Sequence, residues 1–86
     1  QTPIYRIEPK YPKNLARKRK SGYAIIEFTV STSGFVQDPK VLQSEGGKGF
    51  EKSALTAMKQ WRYAPKFEKG IAVAGISTVR LDFTIN

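Results

Sequence analysis

The residues that carry most enzyme chemistry are scarce or scattered in this chain. The sequence contains no histidine and no cysteine, which removes the usual general base, the thiol nucleophile and the common soft metal ligands. The serines therefore have no histidine to activate them, and none of the carboxylates follows a metal-loop spacing. We expect a binding protein, with no enzymatic activity, no metal and no cofactor. The seven carboxylates are Glu8, Glu27, Asp38, Glu45, Glu51, Glu68 and Asp82.

Two segments could bind phosphate or another anion. Gly46-Gly47-Lys48-Gly49 is rich in glycine, but it lacks the GxxxxGK[ST] spacing of a phosphate-binding loop, so a connector is the favoured interpretation. Arg17-Lys18-Arg19-Lys20 is a basic run. Cations at the end of a helix complement its dipole, and such runs are more often solvated surfaces than phosphate sites. Both interpretations of the basic run stay open.

Charge is concentrated near the start of the chain. The 86 residues contain 15 Lys and Arg against 7 Asp and Glu, a formal charge of +8. Residues 1–22 hold seven of the basic residues and only one acidic residue. This asymmetry fits nucleic acid, an anionic surface or an acidic protein as the partner, and charge alone does not choose among them.

One amphipathic segment organises the rest of the chain. On a helix, Phe50, Ala54, Ala57, Met58 and Trp61 share an arc of about 100°, so the pattern predicts a helix that ends before Pro65. A single helix cannot bury its own apolar face, so neighbouring elements must cover it. The polar residues Lys52, Thr56, Lys59 and Gln60 are expected on the solvent side.

Alternating apolar residues predict three strands. Residues 23–31 and 35–42 are expected to form an antiparallel hairpin around Thr32-Ser33-Gly34, and Asp38-Pro39 should make its second strand irregular. The last strand, residues 78–85, follows the polar loop 66–70 and a less regular stretch, 71–77. If it lies beside the first strand, it is an edge strand with one row of backbone donors and acceptors free.

The first part of the chain is predicted to be an extended arm and a short helix. Pro3, Pro9 and Pro12 disfavour helix before residue 12, and Leu15 and Ala16 face inward on a helix closed by Gly22 in the left-handed conformation. We therefore predict an arm over residues 1–10 and one domain over residues 11–86. The fold class is α+β: a two-layer sandwich with a three-stranded antiparallel sheet, two helices on one face, and the order arm-α-β-β-α-β.

The sequence resembles the C-terminal domain of TonB-family energy transducers over nearly its whole length. The matching motifs follow one another with similar spacing, and their combination is fairly specific. They are Pro9-x-Tyr11-Pro12-x-x-Leu15-Ala16, Gly22 with Phe28 and Val30, Ser33-Gly34-x-Val36, Phe50-Glu51-x-x-Ala54-x-x-Ala57, Trp61-Arg62-Tyr63-x-Pro65 and Phe83-x-Ile85-Asn86.

The resemblance implies a periplasmic domain of an inner-membrane-anchored bacterial protein. Such a domain couples proton-motive force, harvested by the ExbB–ExbD complex, to import of iron-siderophore complexes, haem or vitamin B12 through outer-membrane transporters. It binds the transporter's plug and captures its TonB box as a strand added beside the last strand. Because the sequence begins at Gln1 rather than Met, we expect a fragment or a processed product. The anchor, and the spacer that would end in the arm, are implied by the resemblance alone.

The resemblance assigns partner binding to two segments, and five aromatic residues are expected in the core. Glu8 stands where a glutamine is expected, which departs from the family pattern. The partner-binding residues are Arg6, Ile7, Glu8, Pro9 and Lys10 in the arm, Tyr11 and Pro12 directly after it, and Thr78, Val79, Arg80, Leu81, Asp82, Phe83, Thr84 and Ile85 in the last strand. The aromatic core residues are Phe28, Phe50, Trp61, Tyr63 and Phe83.

Three alternatives remain open from the sequence. A free last strand could pair with a second copy of the chain and form a homodimer. The charge and the aromatic residues near Arg62 would also fit a small nucleic-acid-binding module, although with a transducer domain no nucleic-acid partner and no membrane insertion by this fragment are expected. A translocation domain related to TolA has a similar order of elements.

Overall fold

A computed structural model describes residues 2–85 of the chain. Gln1 and Asn86 lie outside the described residues, and so do the outer limits of the predicted arm and domain and the final residue of the last family motif. The secondary structure comprises, in chain order, β1 (Pro3–Tyr5), α1 (Lys13–Arg17), β2 (Gly22–Val30), β3 (Val36–Glu45), α2 (Lys48–Met58), β4 (Arg62–Tyr63), β5 (Lys66–Glu68), β6 (Ile71–Val73) and β7 (Gly75–Phe83).

The central sheet has the order β3-β2-β7 and is antiparallel throughout. β2 and β3 form the predicted hairpin around Gly34, whose φ of 89° suits glycine. β3 is irregular where Asp38-Pro39 predicted it: Asp38 has a φ of 50°, and the register shifts between Glu27 and Thr29. β2 is therefore the middle strand and β7 is an edge.

The two helices cover one face of this sheet, and the predicted α+β sandwich is confirmed. Every second residue of β2 is buried from Ala24 to Val30, and these side chains pack against the apolar side of α2. Phe50 of α2 stacks on Phe83 of β7 with 4.6 Å between ring centroids. α1 contributes Leu15 to the same core. Burial of this common core holds the two layers together.

The helix ends differ from the sequence prediction. α2 ends at Met58 rather than near Trp61, and the chain turns so that Arg62 and Tyr63 form β4. α1 ends at Arg17 and is closed by Arg19 with a φ of 55°, so the prediction that Gly22 closes this helix was wrong. Gly22 instead opens β2, where a Cβ atom would lie 2.0 Å from the Glu45 carbonyl oxygen. Close backbone approach explains the glycine there.

Two small sheets were not predicted. β1 pairs with β4, and β5 pairs with β6 across a tight turn at Lys69 and Gly70, both with positive φ. The second pair occupies residues that were predicted to be a polar loop and an irregular stretch. The last strand also starts earlier and ends earlier than predicted, since β7 spans Gly75–Phe83 and Thr84 and Ile85 follow it.

Candidate binding groove at the sheet edge

β7 is paired along its whole length on one side only. Nine consecutive residue pairs join it to β2 without a register shift, from Gly75 opposite Val30 to Phe83 opposite Gly22. Within residues 2–85 no strand pairs with its other side. In an antiparallel edge strand, every second residue points its N–H and C=O away from the sheet. β7 therefore offers a row of unused backbone hydrogen-bonding groups.

The side chains of β7 alternate between two environments. Val79 and Leu81 are half-buried and Phe83 is buried on the side of the helices, whereas Thr78, Arg80 and Asp82 are exposed on the opposite face. This period of two follows from the pleat of the strand. Ile85 has left the strand, and its backbone N–H donates to the Ser21 hydroxyl over 3.4 Å.

The arm is held at several points along its length. The Ala64 N–H donates to the Thr2 carbonyl over 2.9 Å beside the β1–β4 pair. The Trp61 indole N–H donates to the Ile7 carbonyl over 2.9 Å. Further along, the Ser53 hydroxyl donates to the Lys10 carbonyl. All three bonds are accepted by backbone carbonyls of the arm. They therefore fix the path of the arm and do not depend on the identity of its side chains.

Tyr11 connects the arm with α1 and the core. Its hydroxyl donates to the Lys20 carbonyl. Its ring packs edge-to-face on Phe50 and Phe83, with centroid separations of 5.4 Å and 5.8 Å. These separations and angles are those preferred by aromatic pairs. Tyr11 therefore holds the end of the arm against the core and also forms part of the surface beside β7.

The arm and the second half of β7 enclose a groove of about 540 Å³. It brings together ten of the fifteen residues predicted for partner binding. Lys10 and Pro12 line a neighbouring groove against α2, while Thr78, Val79 and Ile85 line neither of the two. The groove beside β7 is lined by Arg6, Ile7, Glu8, Pro9, Tyr11, Trp61, Arg80, Leu81, Asp82, Phe83 and Thr84.

Trp61 is the lining residue that the sequence reasoning assigned only to the core. The residue is buried, yet it borders the groove, and its indole N–H donates to the Ile7 carbonyl. Arg6 lies over its ring, with 4.5 Å between the guanidinium carbon and the ring centroid. A buried indole N–H usually has a hydrogen-bond acceptor, so the sequence could have predicted that Trp61 donates to some oxygen atom. Hydrophobic periodicity does not indicate which distant backbone carbonyl accepts that bond.

The five predicted core aromatics are all buried. Phe50 and Phe83 form one cluster with Tyr11. A second cluster joins Phe28 to Trp61 at 6.4 Å and to Tyr63 at 5.7 Å between centroids. Burial raises the pKa of the Tyr63 phenol above its ordinary value of 10.0, and the positive charge of Arg6 partly opposes that rise.

Charged groups at the groove are partly paired. Arg80 and Asp82 form an ion pair over 2.9 Å, and both side chains are about half exposed. Arg80 also lies over the Tyr23 ring at 4.1 Å. An exposed ion pair contributes little stability, but ring and carboxylate together orient the guanidinium. The basic run Arg17–Lys20 does not line this groove, although the Lys20 carbonyl accepts the hydrogen bond from Tyr11, which does.

The described residues contain no cluster of three or more His, Cys, Asp or Glu side chains that could hold a metal ion. Within the same residues, no helix has the length and apolar character needed to cross a membrane. The arrangement built by β7 and the arm is suited to binding an extended peptide, since it combines unused backbone groups with a lined groove.

Comparison with known proteins finds a matching family and similar sequences. The family described as Gram-negative bacterial TonB protein C-terminal matches residues 7–85. The protein TonB of Vibrio cholerae is 35% identical over 69 residues, which cover 79% of this chain and 28% of that protein. The protein TonB of Escherichia coli is 33% identical over 71 residues, which cover 81% and 30% respectively. The chain thus spans about three tenths of the length of these relatives.

Solved structures agree with the sequence comparison. The solution structure of the Pseudomonas aeruginosa TonB CTD superposes with a TM-score of 0.85 at 28% identity, covering 98% of this chain and 85% of that one. The TonB2 protein from Vibrio anguillarum gives a TM-score of 0.75 at 32% identity, with 100% and 82% coverage. The chain therefore belongs to the family of Gram-negative bacterial TonB protein C-terminal domains.

Proposed function

We propose that this chain is the periplasmic receptor-binding domain of a TonB-type energy transducer. It binds the TonB box and plug of outer-membrane transporters, and the remainder of the protein connects it to the inner membrane and to ExbB–ExbD. Through this link, proton-motive force drives import of iron-siderophore complexes, haem or vitamin B12. Family membership supports the general role. The observation that carries the binding mode is the unpaired edge of β7 beside a groove lined by the arm.

Strand addition explains how one domain would serve several transporters. Backbone hydrogen bonds supply affinity that depends little on the partner's sequence, with about 1 kcal/mol net for each bond. Side chains of the added strand would alternate between the arm, near Ile7 and Trp61, and the exposed face that carries Arg80 and Asp82. Because several bonds along β7 would be loaded together, this geometry also suits the transmission of a pulling force.

Selective N-methylation of a TonB-box peptide tests this binding mode. A strand beside β7 points the N–H groups of alternate residues at the edge and the others at solvent. We expect a peptide methylated on one alternate set to lose about tenfold or more in affinity, as loss of two hydrogen bonds requires, and the peptide methylated on the other set to bind normally. Affinity is measured by calorimetry.

Amide chemical shifts locate the contact in the same experiment. The unmodified peptide should shift the amides of residues 80–84 and of residues 6–10, and the shifts should persist at high salt. Two methylated peptides that bind alike, whether both well or both poorly, would contradict pairing at one edge. A short DNA duplex is the control: shifts at Arg17–Lys20 that vanish as salt rises, with no response to the peptide, would indicate a nucleic-acid-binding protein instead.

The free edge of β7 is also available to a second copy of the chain. Sedimentation at increasing protein concentration, with and without the peptide, distinguishes the two uses. If the peptide and a second copy compete for β7, saturating peptide should dissociate any dimer. A dimer that persists with peptide bound would use another surface.

A further inference from the structure

Large exposed apolar side chains are gathered at one end of the molecule. Of the seven such side chains among residues 2–85, only Leu42 lies elsewhere, on β3. We call the region formed by the other six the apolar end. Its members are Ile4, Tyr5, Phe35, Phe67, Ile71 and Ile76.

Strand pairing brings these residues to the same end. Arg62 of β4 is opposite Tyr5 of β1 on one side and bridges to Phe35 on the other. The β5–β6 hairpin directly follows β4, and Ile76 lies opposite Thr29, next to the turn that joins β2 and β3. The basic run of α1 lies at the opposite end of β2, which begins at Gly22.

The β5–β6 hairpin projects from the body of the domain. Among the described residues, none of its members belongs to the buried core. Phe67 is 63% exposed and Ile71 is 68% exposed. Because Phe67 is opposite Ala72 whereas Glu68 is opposite Ile71, the two large side chains point to opposite faces of the two-stranded ribbon.

An apolar side chain on each face limits what can cover the hairpin. A flat protein surface can cover one face of the ribbon and leaves the other in water. An interface that surrounds the tip can withdraw both side chains from water at once. Because six large apolar side chains are exposed at the same end rather than scattered singly, they indicate an interaction site.

The charges beside these side chains favour an anionic surrounding. Arg62, Lys66 and Lys69 lie in or next to the hairpin, against Glu68 as the acidic residue of this segment. Arg62 is held over the Phe35 ring, with its guanidinium carbon 4.4 Å from the centroid. Long basic side chains beside apolar ones suit the headgroup layer of a membrane, where the stem is buried and the charge stays hydrated.

The family resemblance leads us to expect no membrane insertion by this fragment, but we propose that the apolar end is a lipid-binding surface that places the tip of the β5–β6 hairpin in the headgroup layer of an anionic membrane. Phe67 and Ile71 enter the layer from the two faces of the ribbon, and Lys66 and Lys69 contact lipid phosphates. The depth is shallow, about 5–10 Å, so water and headgroups satisfy the backbone groups at the hairpin's edges. This contact is separate from the groove beside β7, which stays free to bind a peptide.

Binding to vesicles of defined composition tests the proposal on the 86-residue chain. We expect co-sedimentation with vesicles that contain phosphatidylglycerol and much weaker binding to phosphatidylcholine alone. Phe67→Ser combined with Ile71→Ser should lower the binding constant at least about tenfold, as expected when two apolar side chains no longer leave water. Leu42→Ser is the matched control, since it removes an exposed apolar side chain elsewhere, and it should change nothing.

A gain-of-binding variant guards against a trivial loss through misfolding. Glu68→Lys replaces the acidic residue at the tip with a basic one and should strengthen binding about fivefold or more to anionic vesicles, since each basic residue near such a surface is attracted to it. A spin-labelled lipid should broaden the amide signals of residues 66–72 before others. Affinity for the TonB-box peptide should be unchanged in all these variants, which separates this surface from the proposed function.

Three results would overturn the proposal. The first is absence of binding to the anionic vesicles. The second is binding that survives Phe67→Ser with Ile71→Ser but is lost when Lys18 and Lys20 are replaced by Gln, because the basic end of α1 would then be the membrane contact. The third is self-association without lipid that the hairpin variants abolish, which would make a second copy of the chain the occupant.

Discussion

Trp61 connects the hydrophobic core with the surface beside β7. Its ring packs edge-to-face against Phe28 in the core, while its indole N–H donates to the Ile7 carbonyl of the arm. Arg6 covers the outer side of the same ring. Trp61 is therefore one of the contacts that hold the arm in place, and it borders the groove at the same time.

Trp61→Phe should separate these two roles. The variant keeps an aromatic ring in the core but removes the hydrogen bond to Ile7, so the arm should loosen. We expect the affinity for a TonB-box peptide to fall about fivefold, the equivalent of one hydrogen bond. Hydrogen exchange at residues 6–10 should accelerate while exchange in β2 stays slow.

Ser44→Ala is the control for this experiment. It removes the hydroxyl that donates to the Glu51 carboxylate, a contact between β3 and α2 that does not involve the arm. Its peptide affinity and its exchange rates at residues 6–10 should match those of the unmodified chain. If Trp61→Phe and the unmodified chain bind the peptide with equal affinity, the hydrogen bond between Trp61 and Ile7 is not needed to position the arm for binding.

The raised pKa of Tyr63 predicts that the folded chain loses stability at high pH. Burial is the main cause, and it raises the pKa of the phenol in the folded chain above the ordinary value of 10.0. Below pH 10 the phenol is neutral in folded and unfolded chains, so its contribution is constant. Above pH 10 the unfolded chain loses the proton first, and the free energy of unfolding falls until the folded pKa is passed.

Tyr63→Phe should therefore flatten part of the decline. The measurement is the free energy of unfolding in urea at about pH 8 and about pH 11, on either side of the ordinary tyrosine pKa. The variant should lose less stability between the two than the unmodified chain. Tyr5→Phe is the control, because it removes a phenol that is exposed in the folded chain. Parallel declines in Tyr63→Phe and Tyr5→Phe would contradict the assignment.

At the scale of elements, β4 is the joint between the central sheet and the arm. Its two residues pair with β1, and the Tyr63 N–H donates to the Gly34 carbonyl over 2.9 Å. Gly34 combines a φ of 89° with a close approach, because a Cβ atom there would lie 2.1 Å from the Tyr63 carbonyl oxygen. The β2–β3 turn and β4 are therefore packed backbone against backbone.

Gly34→Ala and Gly70→Ala form a matched pair that tests this joint. Both glycines have positive φ, but a Cβ atom at Gly70 would meet nothing within 4 Å. Gly70→Ala should cost about 1 kcal/mol of stability from backbone strain alone. Gly34→Ala should cost at least about 2 kcal/mol more, since the backbone must also move.

Urea unfolding of both variants measures this difference. The Gly34→Ala variant should also shift the amides of β4 and β1, whereas the Gly70→Ala variant should shift only residues near the β5–β6 turn. Equal destabilisation of the two variants would show that the backbone at β4 can move without lowering the free energy of unfolding.

At the scale of the whole molecule, the tip of the β5–β6 hairpin is kept apart from the groove beside β7. The groove and the basic run of α1 lie toward the end of the central sheet where β2 begins, and the hairpin lies toward the opposite end. This separation allows a peptide and a membrane to be bound together without competition. Arg6 and Arg80 are the two of the 15 basic residues that line the groove, so we expect the net charge of +8 to act on the rate at which a peptide encounters the groove more than on the bound contact.

Much of the architecture follows from local patterns in the sequence. The alternation in residues 23–31, the apolar arc of Phe50, Ala54, Ala57 and Met58, and the turn at Gly34 specified the order of the main elements. The family motifs added the TonB assignment. These features were predictable because hydrophobic periodicity is a property of neighbouring residues.

The pairing of distant segments was not predictable in the same way. The sequence alone determined a small, basic α+β domain with an apolar helix face, an irregular second strand and no histidine or cysteine chemistry. Only the tertiary structure decided that β1 pairs with β4, that residues 66–73 form a projecting hairpin, and that Trp61 reaches the Ile7 carbonyl. Short strands carry too few residues for a clear period, and a hydrogen bond between residues 54 positions apart depends on how the whole chain packs.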